Sequence, residues 1–224
     1  MQLTARAIDQ RVGFRKACTI SAIGRIAEIL PLPGGAMVRG AALVRAGAGW
    51  GESAMIISLT AVLTLSMAAA LAGVPLIMSG GNLGYIVFTA GAAGALMSAG
   101  WMIRRSGIGV TVAMLVSRIA IIALGVVHID VAFNAIGVDV KIIDAALFVV
   151  ASSLGGSLSI VPAGIGLSEA IAAALAMLVD IPSGAAFLAV AIVRMCSLAV
   201  NGLVATLAGI GERQLTEERR HVKD

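Results

Sequence analysis

The sequence predicts an all-α, polytopic helical membrane protein with two Pro/Gly-broken helical hairpins and about four full transmembrane spans. Three observations predict it. Of the 224 residues, 59% are hydrophobic and 12% charged, against about 25% charged in a soluble domain. Mean hydropathy is +1.03. Such a chain cannot cover a water-facing surface, which excludes a soluble globular enzyme and a disordered tail. Next, the charges crowd into the two ends. Between residues 53 and 210 the only charged residues are Arg104, Arg105, Arg118, Asp130, Asp139, Lys141, Asp144, Glu169, Asp180 and Arg194. Last, several apolar runs are long enough to cross about 30 Å of hydrocarbon.

The elements follow in order. Residues 1–16 carry Arg6, Arg11, Arg15 and Lys16 against Asp9 and read as a basic cytoplasmic lead-in, either amphipathic or solvated. Residues 17–210 form a single transmembrane domain. Within it, 17–46 is an apolar segment interrupted by Leu30-Pro31-Leu32-Pro33-Gly34-Gly35. Residues 53–73, 83–103 and 108–127 are full spans. Residues 141–180 repeat the interrupted pattern at Val161-Pro162-Ala163-Gly164-Ile165-Gly166, and 184–209 is the last full span. Residues 211–224 are a charged cytoplasmic tail. Proline removes a backbone donor and glycine permits a sharp reversal, so both interruptions read as helix–break–helix units. Hydrocarbon tolerates a break only where protein or water satisfies the freed backbone groups. Paired breaks in corresponding positions point to a transporter-type site. Each broken unit precedes a long span, a weak internal repeat, and either re-entrant hairpins or full spans satisfy the charge pattern.

Loops rich in Lys and Arg stay cytoplasmic. Arg39 and Arg45 precede the first span, Arg104 and Arg105 follow the second, and the tail holds Arg213, Arg219, Arg220 and Lys223. The stretch 128–140, with Asp130 and Asp139, falls on the other side. This makes a multi-pass cell-membrane protein with a cytoplasmic C-terminus. The net charge of +4 and pI near 9.7 then describe loop charge and not nucleic-acid binding.

Three charges lie deep in apolar surroundings: Arg118, Glu169 and Arg194. A charge at mid-membrane costs about 2.5–3.5 kcal/mol on insertion scales. Such residues face a cavity or pair with one another. One reading is a structural lock, Glu169 with Arg194 or with Arg118; another is a site for an anionic head group; snorkelling fits residues this deep least. Arg194, Ser197 and Asn201 recur at helical spacing as a polar stripe that lines a track or bonds neighbouring helices. Arg39 follows the first break by six residues and strengthens an anion-attracting helix start, or serves as a positive-inside anchor. Gly91-Ala92-Ala93-Gly94-Ala95 reads as a close-packing helix face. Cys18 and Cys196 read as small buried hydrophobes. No cofactor, metal site or catalytic residue is expected: there is no P-loop, and Gly166-Leu167-Ser168-Glu169 lacks the second glycine of an intramembrane serine-protease motif.

The run Pro162-Ala163-Gly164-Ile165-Gly166-Leu167-Ser168-Glu169, followed by Arg194 in a final apolar helix, resembles a signature of the flippase-like integral membrane family that includes the transmembrane region of lysylphosphatidylglycerol synthase. Pro31-Leu32-Pro33-Gly34-Gly35-Ala36-Met37-Val38-Arg39 is similar to that family's looser first motif. The resemblance runs from about residue 15 to 210. It implies an inner-membrane protein that moves or handles lipids, such as aminoacylated phosphatidylglycerol or polyprenyl-linked sugars, and is not itself an enzyme. It implies that Pro162, Gly164, Gly166, Glu169 and Arg194 are the family's break and polar positions and that Arg39 is the first motif's arginine. With Pro31, Pro33, Gly34 and Gly35 read as breaks from the residues alone, and Arg118 and Asn201 from their depth and spacing, the substrate-binding candidates are Arg39, Arg118, Glu169, Arg194 and Asn201. Family members commonly carry further helices before the first motif, so the chain is expected to be an N-terminally shortened member. The soluble domain of the bifunctional synthases has no counterpart in residues 211–224, so aminoacyl transfer by this chain is not expected. The expected partners are membrane lipids with an anionic head group. A lipid-modifying or glycosyltransferase partner, with this chain as its scaffold, is the rival reading, and an ion-coupled small-solute transporter is the second. Self-association is left open.

Overall fold

The computed structural model describes residues 1–8, 13–27, 34–157 and 166–221, with the side chains of 14, 15, 155–157 and 208–221 outside that description. Among these residues every regular element is helical: α1 Gln2–Arg6, α2 Phe14–Ala27, α3 Gly34–Arg45, α4 Trp50–Met78, α5 Asn82–Ser106, α6 Ile108–Ala135, α7 Ile142–Ser157, α8 Leu167–Ala176 and α9 Ser183–His221. Four helices are long and apolar enough to cross a membrane: α4, α5, α6 and Ser183–Leu207 of α9. The chain is a multi-pass membrane protein. Large apolar side chains such as Leu96, Met97, Val116, Ile119, Met195 and Leu203 are exposed on α5, α6 and α9, the surface that lipid covers.

Helix contacts follow the repeat that the two interruptions suggest. α2 packs on α3 and α3 on α4; in the second half α7 packs on α8 and α8 on α9. Across the halves, α4 packs on α7 and α2 on α9. Exchanging α2, α3 and α4 for α7, α8 and α9 maps this set of contacts onto itself. Pro31 and Pro33 in the first break, and Pro162 and Gly164 in the second, lie outside the described residues.

The two apolar cores share α4. One gathers Leu43, Ile56, Leu63, Met102 and Met114 with Ala5, Ala7 and Ile8. The other gathers Ala68, Ala72 and Leu76 with Ile122, Phe133, Phe148, Ala172 and Val190. α7 is its centre: Ala145 through Ala151 are all buried. A helix apolar on every side belongs inside a bundle, and α7 has 16 residues, about 24 Å of helix.

α4 and α5 pack closely for a steric reason. A side chain at Gly91 would overlap the backbone nitrogen of Ala70, and one at Gly73 would come within 2.7 Å of Phe88. The small-residue face expected around Gly91–Gly94 is this contact. Gly34 has a similar part at the neck of the first hairpin, where a Cβ would overlap the carbonyl of Ala27.

Three expectations need correction. Cys18 and Cys196 are exposed, not buried, because an apolar neighbourhood in sequence does not separate the lipid face from the core. The span expected at 108–127 is too short: α6 continues to Ala135, so His128 and Asp130 stand in its last turns. Residues 1–8 are not a solvated tail. Thr4, Ala5, Ala7 and Ile8 are buried, and Ser106 Oγ donates to the Ala7 carbonyl at 2.8 Å.

Candidate functional site

The polar residues of the bundle separate into two groups. The first lies where α8 meets α9. Gly166, with φ 85°, precedes α8; few side chains accept that left-handed backbone, and glycine takes it freely. This turn puts Glu169 in the first turn of α8. Glu169 Oε2 accepts from the Gly166 N–H at 2.9 Å and from Ser168 Oγ at 3.0 Å. Arg194 Nη1 comes across from α9 and donates to Glu169 Oε1 at 2.9 Å and Oε2 at 3.0 Å, and to Ser168 Oγ at 2.6 Å. The Glu169 side chain is 5% exposed and that of Arg194 16%.

Of the two pairings open in the sequence, the structure makes Glu169–Arg194. The carboxylate receives donors from a backbone amide, a hydroxyl and a guanidinium. Buried charges are stable only when paired and hydrogen-bonded in this way. Ser168 was not among the expected site residues. Its signal was present: it directly precedes Glu169, in the first turn of the helix that leaves the break.

Arg118 belongs to a different group. On α6 the inward positions are Thr111, Met114, Ile122 and Ile129, and Arg118 stands four residues from both Met114 and Ile122. Those two methionine and isoleucine side chains belong to different cores, so Arg118 lies on the inner stripe at their seam. It is ten residues into α6, about 15 Å along the helix. Its Nε–H is buried with no acceptor among the described residues. A buried unsatisfied donor costs about 1–3 kcal/mol, more when charged.

Among the described residues the charges that act on it include Arg39 on α3 and Arg25 on α2, and the α-amino group of Met1 is affected by Arg118 and Arg39 in turn. Arg39 lies across α2: its Nε would be 3.3 Å from a Cβ at Gly24, so the missing side chain at Gly24 makes room for the guanidinium. Arg25 and Arg39 also have further polar contacts. Arg25 was not among the expected residues; an arginine inside the apolar run of α2 was the available signal.

Asn201 joins neither group. Its amide donates back to the Ser197 carbonyl at 2.7 Å, one turn earlier on α9. The expected stripe Arg194–Ser197–Asn201 exists, but its outer part is closed within its own helix. Among the described residues, no three His, Cys, Asp or Glu side chains come together in a way that could hold a metal ion.

Residues 99–205 match the family model described as the lysylphosphatidylglycerol synthase TM region. That stretch of the chain is similar to this family. The match runs from the end of α5 through α6, α7 and α8 into α9. The matched stretch includes Arg118, Gly166, Ser168, Glu169, Arg194 and Asn201. The first break and Arg39 lie before it, so the matched stretch is narrower than the resemblance from 15 to 210. No curated protein matches the chain, and no solved structure does.

Proposed function

We propose that this protein is a flippase-like translocase that moves an anionic lipid, or a lipid-linked substrate, between leaflets. The observation that carries the reading is the Glu169–Arg194–Ser168 cluster, a charged assembly inside an apolar bundle and within the stretch similar to the synthase TM region. Intramembrane charges mark substrate pathways more often than they add stability.

The geometry supports a specific exchange. Arg194 leaves Glu169 and takes a phosphate oxygen as its new acceptor. Glu169 is not stranded when this happens, because the Gly166 N–H and Ser168 Oγ–H still point at it. Replacing one partner with another avoids the cost of an uncompensated buried charge. Arg39 and Arg118 hold positive charge elsewhere along the path, and Asn201 is the next polar position along α9. In this reading the protein does no covalent chemistry, sits in the cell membrane, and keeps its Arg-rich ends, including the C-terminus, on the cytoplasmic side.

The test is leaflet exchange of a fluorescent anionic phospholipid in reconstituted vesicles. Arg194→Ala is expected to slow exchange at least about tenfold, the loss of one charged hydrogen bond. Unchanged exchange with a correctly folded variant would remove Arg194 from the mechanism. One observation favours a rival, a scaffold subunit for a lipid-modifying enzyme: the pair is satisfied by the chain's own groups, as a structural lock would be. A scaffold would show no exchange above protein-free vesicles even in the unaltered protein.

A further inference from the structure

We infer that Glu169 takes up a proton at Oε1 when an anionic lipid occupies Arg194, so that the movement of the lipid is coupled to that of a proton. The inference rests on the translocase reading for its substrate and adds the proton to it.

The charges at the site require a proton. In the empty site Glu169 and Arg194 cancel. A singly charged head group held by Arg194 leaves one negative charge over. Among the described residues Arg194 is the charged group that acts on Glu169. α8 packs on α7 and α9. From α9 comes Arg194, with Cys196 exposed two residues further on. α7 has Asp144 in its first turn, at the end away from the second break, and Asp180 stands exposed beyond α8. Neither acts on Glu169. The Glu169 side chain is only 5% exposed, and a carboxylate without a counter-charge in such a setting neutralises by taking up a proton.

The hydrogen bonds name the atom. The Gly166 N–H and Ser168 Oγ both donate to Oε2. Oε1 accepts from Arg194 Nη1 alone among the described residues. When Arg194 turns to phosphate, the two remaining donors hold the carboxylate in place through Oε2, while Oε1 loses both its donor and its counter-charge. A proton from water forms an O–H bond at Oε1, and no other covalent bond changes. When the lipid leaves, the returning guanidinium favours the carboxylate, and the proton goes back to water. Proton and anion thus bind together and leave together. A pH gradient across the membrane then drives the lipid toward the less acidic side.

The experiment titrates the purified full-length protein with short-chain phosphatidylglycerol in weakly buffered detergent, with a pH indicator reading the protons taken up. Uptake rising to about one proton per bound lipid is expected, with affinity increasing up to about tenfold for each unit by which pH is lowered. Infrared difference spectra are expected to gain the carbonyl band of a protonated carboxylic acid. Glu169→Gln, permanently neutral at this position, is expected to bind without proton uptake and with an affinity that no longer follows pH. Glu52→Gln, from the exposed pair with Arg105, is expected to take up protons as the unaltered chain does. Lipid binding by the unaltered protein with no uptake and no carbonyl band, at any pH from about 5 to 8, would overturn the coupling, and this needs no variant to fold. Uptake that persists in Glu169→Gln would also overturn it. In vesicles, leaflet exchange indifferent to a pH gradient would overturn the coupling and leave the translocase reading standing. No exchange above protein-free vesicles at any pH would overturn the translocase reading and the coupling with it.

Discussion

The α8–α9 junction and the α2–α3–α6 region both keep arginine inside an apolar bundle, and they do it in opposite ways. At α8–α9 the chain supplies everything: Arg194 meets both oxygens of Glu169, and Ser168 and the Gly166 amide complete the set. At α2–α3–α6 the charges that act on Arg118 include Arg39 and Arg25. The first arrangement is satisfied by the chain's own groups, and the second leaves one buried guanidinium donor unmet among the described residues.

The comparison can be broken most forcefully at the α8–α9 junction. Glu169→Ala leaves Arg194 as a buried charge without its carboxylate and is expected to cost about 3–5 kcal/mol, measured by unfolding in detergent. The double variant Glu169→Gln/Arg194→Gln removes both charges and is expected to recover about 1–3 kcal/mol of that loss. Exchanging the two residues is not an equivalent rescue. An arginine at 169 would face the Gly166 N–H and the Ser168 hydroxyl that now donate to a carboxylate. The swap is expected to stay as unstable as Glu169→Ala in the same assay, whether the pair serves transport or only a scaffold.

The α2–α3–α6 region predicts the reverse sign. Arg118→Met removes an unsatisfied donor and a repulsive charge, so in lipid-free detergent it is expected to gain about 1 kcal/mol. A loss of stability in lipid-free detergent would mean that Arg118 is already satisfied. The smallest effect belongs to the exposed pair of Arg105 with Glu52 at 2.6 Å. Glu52→Gln is expected to cost under about 1 kcal/mol and less at high salt. It sets the scale against which the buried groups are read.

The helical class and the four spans were legible because they depend on local properties, apolar run length and composition. The depth of Arg118, Glu169 and Arg194 was legible for the same reason. Their partners were not, since pairing joins residues far apart in the chain. Glu169 could have met Arg118 or Arg194, and only the packing of α8 on α9 selects Arg194. Arg25 and Arg39 each looked like an isolated charge near a helix end. That they share a region with Arg118 depends on the missing side chain at Gly24 and on how α3 lies across α2. The exposure of Cys18 and Cys196 was likewise hidden, because lipid-facing and core-facing stretches have the same composition.

The most direct test of the proposed exchange is the melting temperature of three proteins with and without phosphatidylglycerol: the unaltered chain, Arg194→Gln and Glu169→Gln. The account predicts that the lipid raises the melting temperature of the unaltered chain. It predicts a rise at least as large for Glu169→Gln, from a lower starting value, and none for Arg194→Gln. A rise that survives in Arg194→Gln would contradict it.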